Sequence, residues 1–222
     1  MNFPKRSHPI HQNDRRAFTV VEMLVVIGIM VLLMSLLTQL GGLGNDQRRV
    51  KMAADTIAGA IEQARTYALA NNTYTWVALY SNTTTNVVNT VVVASKSGLP
   101  DALASSDIIL VGPINQSENV ALVTPPSNVS DAESAVDYTS LPTGNVTVPY
   151  KNTTRAFNNS RLIRFSPLGE AVDNDGYPLN WVGIGVTMKV KGTDKTPEGT
   201  ASIGIHVNGY TGKTVLKYAE ES

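Results

Sequence analysis

From residue 18 to residue 40 the chain is apolar at almost every position, and Glu22 is the only charge in that stretch. About 20 consecutive apolar residues match the hydrocarbon core of a bilayer when helical, so the pattern predicts a transmembrane helix over 18–40. Residues 45–71 keep helical character but change face. Val50, Ala53, Ala54, Ile57, Ala60, Ile61, Ala64, Tyr67 and Ala68 recur at three- and four-residue steps, while Arg48, Arg49, Lys51, Asp55, Glu62 and Arg65 occupy the other positions. That stripe predicts an amphipathic helix packed on its own domain. Between the two halves stands Gly41-Gly42-Leu43-Gly44. Each glycine weakens a helix by about 1 kcal/mol relative to Ala, so a kink or melted turn is expected there.

After residue 72 the period shortens. Runs rich in Val, Thr, Tyr and Ile alternate with Asn, Gly, Pro and Ser. They predict strands at 73–80, 87–94, 107–111, 119–123, 145–148, 161–165, 181–190, 201–207 and 213–218, with loops at 125–140 and 191–199. Helix first and strands afterwards predict an α+β fold, a long N-terminal helix packed on a mainly antiparallel sheet. The expected division is 1–17, a basic leader; 18–40, the membrane helix; 41–72, the glycine-rich break and amphipathic helix; and 73–222, a β-rich globular domain.

Glu22 needs an explanation. The apolar residues around it contribute on the order of −5 kcal/mol to insertion, against about +3 for a central acid, so the span tolerates the carboxylate. Tolerance is not a role, and a lone carboxylate in hydrocarbon marks a functional site whose partner must be named. Lys5, Arg6, Arg15 and Arg16 precede the run against Asp14 alone. The positive-inside bias then leaves the N-terminus in the cytoplasm and the C-terminal part outside. A secretory signal peptide would be cut after its apolar core, where Gly41-Gly42-Leu43-Gly44 offers no A-x-A pattern. A plain uncleaved anchor leaves Glu22 without a function.

A third reading rests on a resemblance. Arg16-Ala17-Phe18-Thr19-Val20-Val21-Glu22-Met23-Leu24-Val25-Val26-Ile27 resembles the prepilin segment of type IV pilins and type II secretion pseudopilins. The resemblance implies a peptidase that cuts on the cytoplasmic side, between Ala17 and Phe18, and then methylates the new N-terminus. Ala17 stands where that family usually has Gly. Glu22 becomes the fifth residue, and its implied partner is the N-terminal amine of a neighbouring subunit. Such pairing fits the physics, because a carboxylate in hydrocarbon is tolerable beside a cation and only one stagger aligns the two.

The remainder sharpens the likeness. The passage from Ile61-Glu62-Gln63-Ala64-Arg65 through Asn71-Asn72 into an alternating strand is similar to minor pseudopilins of the GspH/FimT type. Phe165-Ser166-Pro167-Leu168-Gly169 resembles their F-x-P-x-G turn, and the strands around Gly209-Tyr210-Thr211-Gly212 resemble their closing hairpin. Residues 81–160 match no pattern of that family and read as an expansion.

Composition narrows the chemistry. There is no Cys, so neither disulfides nor thiol chemistry is available. Charge is balanced at 18 basic and 18 acidic residues. The leader holds four cations and one acid, so the rest of the chain is slightly acidic and no nucleic-acid partner is expected. His8 and His11 lie in the leader and His206 in a predicted strand. No nucleophile–base pair, zinc motif or phosphate loop is present, and no enzyme activity and no cofactor are expected. Asp173-Asn174-Asp175-Gly176 begins like a calcium loop but lacks the later bidentate acid, so it reads as a polar turn. Trp76 and Trp181 are expected in strand cores.

The expected function is a structural subunit, of minor pseudopilin type, in a type II secretion or type IV pilus-type filament. Its implied partners are prepilin peptidase/methyltransferase, other pilin-like subunits, an inner-membrane assembly platform and membrane lipid. The implied location is the bacterial inner membrane, then the filament. The alternative is a signal-anchored β-rich surface protein that binds a ligand or polymer.

Overall fold

The computed structural model describes residues 19–82, 84–101, 103, 107–125, 135–189 and 202–218, leaving aside the side chains of 36–46 and 135. The chain divides into two compact units, Met1–Leu43 and Gly44–Ser222. Helix α1 spans Val20–Asn71, 52 residues. The helical backbone continues through Gly41-Gly42-Leu43-Gly44, so the expected melted turn is not an interruption of the helix. Glycine lowers helix stability without forbidding helical dihedrals, and long helix on either side carries the segment. The boundary between the two units nevertheless falls inside this stretch.

In the first unit the described side chains from Val20 to Met34 are exposed. Among the described residues no helix is long and apolar enough to cross a membrane. The span predicted over 18–40 extends past the described side chains at both ends.

In the second unit α1 ends where the sequence expects it to. Asn72 adopts a left-handed conformation (φ 49°), and the Thr73 N–H donates to the Ala68 carbonyl at 3.2 Å. This is a Schellman-type stop, with Asn in the position that glycine usually takes. The Asn71 side-chain amide also donates to the Tyr67 carbonyl at 3.0 Å.

The strands that follow are β1 (Thr75–Asn82), β2 (Val87–Ser95), β3 (Ile108–Leu110), β4 (Asn115–Glu118), β5 (Val120–Val123), β6 (Ala135–Asp137), β7 (Thr143–Tyr150), β8 (Thr153–Phe165), β9 (Ala171–Val172), β10 (Trp181–Met188), β11 (Ser202–Asn208) and β12 (Thr214–Tyr218). They form two sheets where the sequence predicts one. The first runs β3-β2-β1-β8-β7, with β4 beside β2 and β9 beside β8. The second runs β12-β11-β10-β5, with β6 beside β10. Pairing is antiparallel except at β6–β10, which is parallel. The architecture is α+β with a large, mainly antiparallel β domain.

The apolar stripe of α1 holds the sheets to it. Val50, Ala53, Ala54, Ile57, Ala60, Ile61, Ala64 and Ala68 are buried. They share one core with Val77, Leu79, Val88 and Val92 of the first sheet and with Val182, Ile184, Val186, Ile203, Ile205 and Val207 of the second. Each fully buried Ile or Val contributes about 1.5–3 kcal/mol through the area it removes from water. The Thr75 hydroxyl donates to the Ala64 carbonyl at 2.9 Å, which ties β1 to the helix inside this core.

β1 is buried on both faces, which is why its sequence lacks alternation. Val77 and Leu79 face the helix cluster, whereas Trp76 and Ala78 join a second cluster with Val91, Val93, Ile108, Val146, Val148, Phe157 and Leu162. That second cluster is built mostly from the expanded middle region. The polar first half of β8, which does not read as strand, pairs with β7 across a bulge between Gly144 and Val146. β4 and β9 are likewise absent from the predicted strands, and β6 lies inside the predicted loop 125–140. The predicted loop 191–199 lies outside the described residues.

Candidate assembly site at the helix N-terminus

The first turn of α1 carries a reciprocal cap. Thr19 precedes the helix, and its carbonyl accepts the first helical bond, from the Met23 N–H at 3.2 Å. The Glu22 N–H donates to Thr19 Oγ1 at 3.2 Å. In return Glu22 Oε2 accepts from the Thr19 N–H at 3.2 Å and from the Thr19 hydroxyl at 3.3 Å. This is a capping box, in which two orphan amide donors are satisfied by one side-chain pair. It also places a carboxylate at the positive end of the helix dipole.

Thr19 is the residue that sequence reasoning passes over. Its signal is legible: Thr19-Val20-Val21-Glu22 has the S/T-x-x-E spacing immediately before an apolar run. The cap changes the status of Glu22. Its carboxylate has polar partners within its own chain, while Oε1 carries no hydrogen bond among the described residues. One oxygen thus serves the fold. Around it Val20, Val21, Met23, Leu24 and Ile27 are exposed, leaving an apolar surface on which one charge stands. Ala17 and Phe18 lie outside the described residues.

Residues 12–38 match the family model of the prokaryotic N-terminal methylation motif. The chain carries a pilin-like processing motif. It points to a type IV pilin-like precursor processed by prepilin peptidase, a kind of protein that is anchored in membranes and meets other pilin subunits in filaments. The matched residues contain Ala17, Phe18, Thr19 and Glu22. No curated protein and no solved structure matches the chain.

The other candidates in this chain resolve locally. Asp173 Oδ1 accepts from the backbone N–H of Asp175 at 3.0 Å and of Tyr177 at 2.9 Å. Gly176 follows at φ 90°, so the segment is an Asx-type turn. Among the described residues no group of three or more His, Cys, Asp and Glu is placed to hold a metal ion. His206 is buried in β11 opposite Gly183 of β10. Trp76 is buried in the second cluster, and Trp181 is half-buried at the start of β10.

The F-x-P-x-G segment is a turn seated on the end of the helix. The Gly169 N–H donates to the Ser166 carbonyl at 2.8 Å, and the Leu168 N–H to Ser166 Oγ at 3.2 Å. Gly169 takes φ 78°, and a Cβ there would lie 2.9 Å from Leu69 Cγ of α1. The dihedral favours glycine, while the approach is to the exposed side chain of Leu69, which can turn aside. The closing hairpin meets the same end of the helix. The Thr214 N–H donates to Glu62 Oε1 at 2.9 Å, and Glu62 pairs with Arg65 at 3.7 Å.

Proposed function

We propose that this chain is a structural, non-catalytic subunit of a type II secretion or type IV pilus-type filament, of the minor pseudopilin kind. Prepilin peptidase removes residues 1–17 and N-methylates Phe18. The helix from Phe18 to about Leu40 then anchors the subunit in the inner membrane, with the β domain outside. In the filament, Glu22 pairs with the Phe18 amine of a neighbouring subunit.

The observation that carries this reading is the methylation motif over residues 12–38, with Glu22 on the first turn of an exposed apolar helix. The capping box supports the mechanism. It holds the carboxylate at a fixed place on the helix and keeps it solvated by local donors until a cation arrives. Removing the leader supplies that cation, because the Phe18 amine does not exist before cleavage.

The GspH/FimT-type assignment rests on three local features. They are the helix-to-strand passage, the glycine turn at Gly169 and the closing hairpin around Gly209-Tyr210-Thr211-Gly212. The expanded middle suits a minor subunit, since filament shafts are usually built from one abundant, compact subunit.

Glu22→Ala tests the pairing. The variant is expected to enter the membrane and to be processed, but to be lost from sheared filaments. Normal incorporation of Glu22→Ala would refute the pairing.

A further inference from the structure

Helix α1 begins at Val20, two positions past Phe18 and so just beyond the Ala17–Phe18 bond proposed for cleavage. Thr19 stands outside the helix, and its Oγ1 accepts from the Glu22 N–H at 3.2 Å. Glu22 Oε2 accepts in return from the Thr19 N–H at 3.2 Å. Phe18 and Met23 flank this box at the positions before the cap and at the fourth helical residue, the spacing of a hydrophobic staple. The observed box and the staple spacing name the same helix start.

The residues upstream would otherwise continue the helix. Arg15, Arg16 and Ala17 are strong helix formers, and Asn13 and Asp14 are the next capping side chains towards the N-terminus. In a helix begun there, the Ala17–Phe18 peptide lies within the first two turns. A peptidase acts on the fraction of chains in which its bond is outside the helix, so its rate follows that population. Ala17 stands where prepilins usually have Gly, and Gly disfavours helix about fivefold relative to Ala. Ala17 thus removes one obstacle to helix across the bond and leaves the stop to the cap.

We propose that Thr19 is a positioning residue for leader removal. Its cap holds the helix start at Val20 and so keeps the Ala17–Phe18 bond available to prepilin peptidase. This rests on the processing reading above and adds to it the residue that presents the bond. In Glu22→Ala the backbone N–H of residue 22 still reaches Thr19 Oγ1, so that variant keeps the part of the cap that processing needs.

The test incubates the full chain in mild detergent with purified prepilin peptidase and follows leader loss by mass spectrometry. Thr19→Val should be cut about two- to fivefold more slowly. Thr19→Ser and Thr19→Asn, good caps of different shape, should be cut at the wild-type rate. Ala17→Gly should speed the Thr19→Val chain by a larger factor than it speeds the wild type. NMR gives a readout without the enzyme. The Ala17 Cα signal should move towards its helical value in Thr19→Val and stay in place in Thr19→Ser and Thr19→Asn. Wild-type cleavage of Thr19→Val, an unmoved Ala17 signal in it, or slow cleavage of Thr19→Asn would each overturn the proposal alone. A wild-type chain that stays whole, or is cut elsewhere, would overturn the processing reading and the proposal with it.

Discussion

Thr19 and Glu22 cap each other across the first turn of the helix, through three hydrogen bonds of 3.2–3.3 Å. The pair gives this carboxylate a role in starting the helix, beside the pairing with a neighbour that is proposed for it. Glu22→Gln keeps a capping side chain and removes the charge. It should leave the helix start intact and still block assembly. Thr19→Val keeps the charge and removes the cap, costing about 1 kcal/mol of local helix stability. Amide exchange at residues 20–23 should rise in Thr19→Val, with filament incorporation reduced less than in Glu22→Gln. The reverse order would mean that the cap, not the charge, governs assembly.

Glu62 and Thr214 join the helix to the last strand across 152 positions of sequence. Hydrogen bonds to charged groups contribute about 1.5–3 kcal/mol when well made, and this one is partly exposed. Glu62→Ala should lower stability by about 1 kcal/mol, read as the midpoint of urea unfolding. Glu62→Gln, which keeps an acceptor, should lose less. Equal losses would show that the acceptor is not what holds β12.

Gly209 and Gly98 make a matched pair of tests. A Cβ on Gly209 would overlap the backbone carbonyl of Leu179, to which only main-chain shifts can respond. Gly98 takes φ 76° with nothing within 4 Å of its Cβ position. Gly209→Ala should therefore cost about 3 kcal/mol, as overpacking against backbone does. Gly98→Ala should cost about 1 kcal/mol, from its dihedral alone. Similar midpoints in urea for the two variants would contradict the close approach at Gly209.

The turn after β2 should respond to acid. Hydrogen bonds from the Ser97 hydroxyl hold the Asp107 carboxyl below its ordinary value of 3.8, aided by the Ser97 N–H at 3.1 Å and by Lys96. A depressed carboxyl stabilises the folded turn above its unfolded value, and that contribution is lost as pH falls through the folded value. The Ser97 amide signal should therefore titrate with a midpoint below 3.8, and the titration should vanish in Asp107→Asn. A midpoint at or above 3.8 would contradict the bonding.

The helical half of the domain was legible because one physical rule wrote it. Every stripe residue from Val50 to Ala68 is buried except Tyr67, which is half-buried. The strands at 87–94 and 119–123 were legible for the same reason, since their apolar residues pack on a core, whereas 213–218 was legible from composition, with only Leu216 packed against the core. What escaped was structure without an apolar signature. Thr153 to Ser160 is largely polar because much of it is exposed, and its pairing with β7 rests on backbone bonds. Asn115–Glu118 joins β2 as a polar edge strand. The division into two sheets was hidden because both present their apolar faces to one helix, and such contacts leave no spacing in sequence. At the candidate site, Glu22 was legible as an anomaly in hydropathy. Thr19 was not, because a threonine in an apolar run attracts no notice until its spacing to Glu22 is counted.

The central claim is that Glu22 is half of an assembly contact whose other half is made by cleavage. Mass spectrometry of the mature N-terminus, on protein recovered from membranes of cells with an active prepilin peptidase, tests it most directly. The account predicts a chain that begins at Phe18 and carries one N-methyl group. A chain that keeps Met1, or begins near Asn45, would contradict it.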